Sequence, residues 1–254
     1  MCLVLDLRLC LAVCQAASCE KESTDLKWRI VLSTKKPFIL VLVLVFVLAI
    51  LTSYSANTDV ITEKAYHADK NDIFSVVIDV RDRQIDVTLS EDDLVHIEYF
   101  ESEKEFYEIT VSEDNVLTMT AQTNKSWLDY IGRSPSAVVR KIALRIPDAS
   151  LSSLTLTTTN KDITLADLTI VDDIVLSSNG GNMTFEKLAV GNILKLTAKN
   201  GNITGAIAGG YDDFSIRSEI KKGKSNLPSE KAGGDKTLEV SNNNGDIDIA
   251  FIKK

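Results

Sequence analysis

"LKLTAKNGNITG", Leu194 to Gly205, reads as a strand, a polar corner and a second strand. The same phrase stands twenty residues earlier as "IVLSSNGGNMTF" (Ile174 to Phe185) and 44 residues later as "LEVSNNNGDIDI" (Leu238 to Ile249). Aligned on it, Leu154, Ile174, Leu194 and Phe214 fall in one column at 20-residue spacing, and Leu238 follows after 24. Two places on stand Leu156, Leu176, Leu196, Ile216 and Val240. Eight places on stand Asp162, Asn182, Asn202 and Asp246, with Lys222 the exception. Nine places on come Ile163, Met183, Ile203 and Ile247. A fixed period of this kind marks stacked, self-similar units.

Period-2 alternation explains a single unit. Leu154/Leu156 and Ile163/Leu165 each mark a short strand whose alternate side chains point inward. Between them "TTTNKD", "SSNGGN", "TAKNGN" and "SNNNGD" are turn chemistry, because Asn, Asp and Gly accept positive φ and bond their own backbone. One unit cannot bury its apolar face alone, so the units must stack. The expected fold is all-β: a single-stranded parallel β-helix, a β-solenoid of ~20-residue coils, right-handed, over residues 148–254. A β-sandwich is the rival, but it has no reason to keep one residue type at a fixed 20-residue spacing.

The repeated Asn/Asp column has two readings. Stacked carboxylates and amides hold calcium in glycine-rich nonapeptide repeats, but those need Asp at nine-residue spacing. Here the column is half Asn at twenty, which favours an amide stack serving the turn backbone from coil to coil. Asn182 and Asn202 also begin N-x-Thr sequons, relevant only in a glycosylating host.

Upstream, residues 73–147 keep the same grammar more loosely, with Val76/Ile78/Val80, Ile85/Val87/Leu89 and Val95/Ile97/Tyr99 alternating. The turns there are acidic: from Asp59 to Asp114 there are 17 Asp/Glu against five Lys/Arg. Such a run reads as a solvated face or protection of exposed strands. A weak divalent-cation site around Glu91, Asp92 and Asp93 is the sharper alternative.

The first part of the chain is different. An unbroken apolar run, Phe38 to Leu51, follows Lys35 and Lys36. With Pro37 before it and Thr52 to Tyr54 behind, it reaches the ~17–18 residues that a membrane span needs at minimum. Basic residues precede it and acidic ones follow, which puts the N-terminus inside and the bulk of the chain outside. Residues 37–54 thus read as a transmembrane signal-anchor, 1–36 as a cytoplasmic tail and 55–72 as a linker. Cleavage near Ser55, giving a secreted protein, is the alternative, since Ser53 and Ser55 suit a signal-peptidase site. All four cysteines (Cys2, Cys10, Cys14, Cys19) lie in the tail, so the exported part has no disulfide. The tail is either real or the product of a start assigned too far upstream.

Catalytic parts are scarce. The chain has two histidines; His67 reads as linker, and His96, alternating with Val95 and Ile97, faces solvent. Asp172/Asp173 and Asp212/Asp213 point opposite ways in a strand and suit corners better than a catalytic pair. The expectation is no enzyme, no cofactor and no metal. A net charge of −8 excludes a nucleic-acid partner. Two segments depart from the repeat, and departures are where binding concentrates. "TNKSWLDYIGRSPS" (Thr123 to Ser136) brings Trp127, Leu128, Tyr130 and Ile131, either as a cap on the first coil or as a partner contact. "IKKGKSNLPSEKAGGDK" (Ile220 to Lys236) reads as a mobile loop whose Lys221, Lys222 and Lys224 suit anionic wall polymer or lipid.

The opening "VRDRQIDVTLSEDDLVHIEY" (Val80 to Tyr99), the junction "LRIPDASLSSLTLTTTNKDITL" (Leu144 to Leu165) and the Asn-Gly-Asn/Asp-Ile corners resemble the bacterial "putative adhesin" family of β-strand-repeat cell-envelope proteins, largely of unknown function. The resemblance covers Ile73 to Phe251. It implies a single-pass or secreted envelope protein with a β-helical exterior, and no catalytic residues. Two functions follow as expectations. One is an extracellular adhesin-like binding module, taking cell-wall polymer, glycan or another envelope protein. The other is an envelope-stress sensor signalling through a partner.

Overall fold

The computed structural model describes residues 60–127 and 138–253. The apolar run at 37–54 and the residues Tyr130 and Ile131 lie outside the described residues. Among the described residues no helix is long and apolar enough to cross a membrane.

The described chain is all-β. In order its strands are β1 (Thr62–Asp69), β2 (Ser75–Asp79), β3 (Gln84–Leu89), β4 (Leu94–Glu101), β5 (Glu105–Val111), β6 (Val116–Thr123), β7 (Lys141–Ile146), β8 (Ser153–Thr158) and β9 (Ile163–Leu165). There follow β10 (Leu168–Ile170), β11 (Asp173–Ser178), β12 (Met183–Val190), β13 (Ile193–Asn200), β14 (Ile203–Ala208), β15 (Phe214–Lys222), β16 (Glu230–Lys231), β17 (Lys236–Asn244) and β18 (Ile247–Ile252). They form two sheets. One runs β1-β4-β7-β3-β9-β12-β14-β18, with β10 beside β12; the other runs β16-β15-β17-β13-β11-β8-β2-β6-β5.

The column structure of the sequence is the register of these sheets. Leu154, Ile174, Leu194 and Leu238 pair in turn across parallel strands, and Ile163, Met183, Ile203 and Ile247 do so on the other sheet. Nearly all of these side chains have no exposed surface. Each contributes about 1.5–3 kcal/mol by leaving water, which is what drives stacking. The architecture is a β-solenoid-like repeat.

Four features differ from the period alone. First, chain order is not stack order. Strands β6 and β7 lie outside β2 and β3, and β17 and β18 insert between the β13/β14 layer and β15. Antiparallel pairs close both sheets at one end, β1 on β4, β4 on β7 and β5 on β6, and one sheet at the other, where β16 lies on β15 while β18 meets only the Ser225 bridge. An exposed parallel edge would template pairing with other chains, and a hairpin turned back on it blocks that. An uninterrupted single-stranded helix would leave such edges bare. Second, Phe214 is not in the Leu194 column. Leu238 pairs with Ile216, and Phe214 pairs with Lys236. Gly209, Gly210 and a 3-10 turn at Tyr211–Asp213 lengthen that corner, so the local repeat is 22 residues rather than 20. Third, residues 62–69 of the expected linker are strand β1. Fourth, residues 73–147 and 148–254 share both sheets, through β2–β8 and β3–β9 pairing.

Candidate functional site

The corners come first, because they carry the repeated polar residues. Asn182 N–H donates to Asp162 Oδ1 (2.7 Å), Asn202 N–H to Asn182 Oδ1 (2.9 Å), Asp246 N–H to Asn202 Oδ1 (2.9 Å) and Lys224 N–H to Asp246 Oδ1 (2.8 Å). Each side chain therefore satisfies the backbone of the next layer. Asp and Asn both offer the needed oxygen, which is why they interchange in this column. Lys224, not Lys222, occupies the last place; no further layer follows there, so no acceptor is required. Beside the ladder, Gly201 has φ +143°, and a Cβ on it would stand 2.2 Å from the Gly181 carbonyl oxygen. Glycine alone allows layers to approach so closely. The Oδ1 atoms of the Asn/Asp column are thus committed to structure. Asp172 and Asp173 behave alike: Asp172 accepts from the Ser152 hydroxyl, and Asp173 Oδ1 from Ile193 N–H (3.1 Å).

The lateral face of the second sheet is chemically different. Thr120, Asp79, Thr157, Ser177, Thr197, Ser241 and Glu219 stand side by side on seven successive parallel strands. Five of the seven carry hydroxyls. In the neighbouring row Lys195 Nζ meets Glu239 Oε2 (2.9 Å) and Arg217 lies in register with Glu239. A shallow recess of about 350 Å³ is lined there by Lys195, Thr197, Arg217, Glu219, Glu239 and Ser241.

At the hairpin end, the charged groups gather. Arg83 is buried, at 6% exposure. Its Nε donates to the Tyr107 hydroxyl (2.6 Å) and its Nη2 to Glu105 Oε2 (3.0 Å), while Lys125 Nζ meets Glu105 Oε1 (2.6 Å). Burial by itself would raise the Glu105 carboxyl, but the Lys125 hydrogen bond and the Arg83 charge outweigh it and hold it below the usual carboxylate range. Burial pushes the Tyr107 phenol up. This cluster fastens the β5–β6 hairpin over the corner between β2 and β3.

On the same end, β1 pairs with β4 so that His67 lies directly opposite His96. Their Nδ1 atoms are 2.7 Å apart, and His96 Nε2 is 2.7 Å from Asp92 Oδ1. Ser90 Oγ (2.7 Å) and Leu94 N–H (3.0 Å) donate to the same Asp92 oxygen. These bonds, that from His96 foremost, hold the Asp92 carboxyl far below the usual carboxylate range. His67 therefore belongs to a strand, and His96 does not face open water: its side chain is only 12% exposed because the paired strand covers it. Asp93, the neighbour in the expected cation cluster, pairs with Lys70 (2.5 Å). Among the described residues no group of three or more His, Cys, Asp or Glu is arranged to hold a metal ion.

Of the expected contact residues, Trp127, Lys221, Lys222 and Lys224 lie among the described residues. Trp127 is 72% exposed. Lys221 and Lys222 stand at the opposite end of the stack on β15, the last parallel strand of its sheet, and Lys224 just beyond it. The segment around them is built rather than a free loop. Leu227 is buried, Asn226 is bonded to Ile249 by both its oxygen (3.1 Å) and its nitrogen (2.9 Å), and β16 pairs with β15. Phe214, Tyr211 and Phe251 close this end with ring centroids 5.4 and 5.7 Å apart. The histidine pair escaped the sequence reading because β1 offers few large apolar residues. The signal was the alternation of "TEKAYHAD" itself, with Tyr66 and Ala68 on one face and Ala65, His67 and Asp69 on the other.

No curated protein matches the chain. Among solved structures it is similar to a "putative cell adhesion protein" from Clostridium sporogenes, at 13% identity and TM-score 0.46, covering 76% of this chain and 100% of that one. It is also similar to "putative adhesin" structures from Parabacteroides merdae (14% identity, TM-score 0.36, 76% of this chain and 82% of that one) and Bacteroides fragilis (14%, 0.33, 75% and 97%). The Toastrack DUF4097 family model matches residues 73–206. That stretch is more than half of the 254 residues, and the chain belongs to the Toastrack DUF4097 family.

Proposed function

We propose that the repeat is a non-catalytic, adhesin-like surface binding module, held at the cell membrane by a single span over residues 37–54 with the N-terminus cytoplasmic. In this reading the stack is a parallel β-helix whose ends alone are modified. The observation that carries it is the in-register row from Thr120 to Glu219 on the second sheet. Parallel neighbours stand ~4.8 Å apart, so the row extends about 29 Å as a flat, regularly spaced array of hydroxyl and carboxylate groups. A repeating array suits an extended repeating ligand, such as a wall polymer or glycan, because each hydroxyl both donates and accepts. The shallow recess at the Arg217 end adds a mixed-charge stop to the array.

The test is sedimentation of the purified chain with insoluble wall polymer. Thr197→Glu and Ser241→Glu place charge on the row, and Thr184→Glu places it on the opposite sheet as a control. The reading expects the first two to lose retention and the third to keep it. Equal behaviour of all three, or no retention of the unaltered chain, overturns it. Anchoring is tested separately: the chain should stay with membranes through alkaline carbonate extraction, and release into the supernatant contradicts the span.

A further inference from the structure

The two histidines of this chain face each other across β1 and β4. With the Nδ1 atoms 2.7 Å apart, one nitrogen carries a proton and the other accepts it. The two lone-pair positions converge on one point. We propose that His67 and His96 chelate a divalent transition-metal ion of the zinc or nickel class through these two Nδ1 atoms, the ion taking the place of the shared proton and water completing its coordination.

Three observations support this site. The far nitrogen of His96 is held by Asp92 Oδ1 at 2.7 Å, and Asp92 is itself fixed by Ser90 and the Leu94 N–H. A carboxylate on one imidazole nitrogen fixes the tautomer that leaves the other free as a ligand, and metal-binding histidines regularly have such a partner. The ligands also stand on paired strands rather than a loop, and β4 is held on its other side by β7. Tetrahedral zinc with Zn–N bonds of ~2.05 Å spaces two nitrogens about 3.3 Å apart. The present spacing reaches that with a swing of about 0.6 Å, and the His67 ring, at the exposed position, has room for it.

The surroundings suit a cation. Facing the pair are Asp92 from the β3–β4 turn, Glu98 two places along β4, and Arg145 opposite His96 on β7. Arg145 Nη2 is engaged by Glu98 Oε1 at 2.7 Å, which leaves the Asp92 charge uncompensated apart from the histidines. Asp69, on the β1 face, is turned to Asn71. To bind the ion both Nδ1 atoms must be free of protons: His96 keeps its proton on Nε2, toward Asp92, and the proton on His67 Nδ1 moves to that ring's Nε2, so the ion and an added proton compete for the same nitrogens.

The experiment uses the full chain with Cys2, Cys10, Cys14 and Cys19 replaced by Ser, so that thiols cannot take the ion. Zinc chloride and nickel chloride are titrated in by calorimetry. Nitrogen-15 spectra of the imidazole rings, which contain only the His67 and His96 signals, report where zinc, the diamagnetic ion, binds. The expected result is one ion per chain, both Nδ1 resonances shifted, and affinity that falls as acid is added, because protons and the ion compete for the same nitrogens. Asp92→Asn should weaken binding by roughly 10–100-fold while leaving both ligands in place. His67→Ala and His96→Ala should each abolish the one-ion step, with circular dichroism confirming an intact sheet. No binding at millimolar metal overturns the proposal. So does binding that survives the double variant, since that would put the ion on the acidic turns instead.

Discussion

Between Ser153 and Ala208 the layers of the stack repeat the same contacts, whereas the two ends are made of contacts that recur in no other layer. In the middle, the same inward Leu/Ile pair and the same corner acceptor recur, and each residue serves its copy in the next layer. At the hairpin end stand a buried arginine with its tyrosine and glutamate, and the histidine pair with Asp92. At the other end an aromatic cluster and the Leu227 segment cover the last strands. Translation along a stack solves the hydrogen-bond problem for every layer except the last, so the ends need specific chemistry. Specific chemistry, where it occurs, therefore belongs to the ends and to the outward face, which packing leaves free.

The contrast can be broken at several points. The largest effect is expected in the middle. Gly201→Val brings a side chain against the Gly181 carbonyl oxygen at φ +143°. Backbone strain and overpacking together should cost roughly 3–5 kcal/mol, read by urea unfolding. If Gly201→Val is tolerated, the layers do not approach as closely as described.

At the hairpin end, Arg83→Met removes one partner of a largely buried pair. The loss should be about 2–3 kcal/mol, below that for a fully buried pair because Glu105 keeps 25% side-chain exposure. The same cluster sets an acid response. The Glu105 carboxyl is held below its ordinary value, so its contribution is present above the unfolded-chain value, about 4, and is lost as pH falls through the folded one. Glu105→Gln should therefore flatten the decline of the unfolding midpoint in acid; an unchanged decline would assign it to other carboxylates.

Smaller effects separate ladder from surface. Asn202→Ala leaves the Asp246 N–H without its acceptor and should cost about 1 kcal/mol, while Asn202→Asp should cost much less because the oxygen is kept. Trp127→Ala should change stability by no more than about 0.5 kcal/mol, since the ring is 72% exposed. A larger loss would show that Trp127 does cap the stack.

Much of the middle was legible in the sequence because alternation and period report on the same thing, the inward columns. The Asn/Asp column was legible as structural because Asn and Asp alternate in it without regard to charge. What escaped was set by geometry that no period records. Phe214 and Ile216 are both apolar and two apart, so only the length of the Gly209–Asp213 corner selects Ile216 for the Leu238 column. The exchange of layer order at each end depends on pairing between strands distant in the chain. The histidines escaped because each was read alone, one in a polar segment and one on an outer face, and only the β1–β4 register joins them.

The central claim is that the repeated phrase is a ladder, each corner side chain holding the backbone of its neighbour. Amide hydrogen exchange tests it most directly. The N–H groups of Asn182, Asn202 and Asp246 lie in exposed corners yet should exchange as slowly as strand amides, and Asn202→Ala should release Asp246 alone. Fast exchange at all three corners, or an Asp246 amide indifferent to Asn202→Ala, would contradict the ladder.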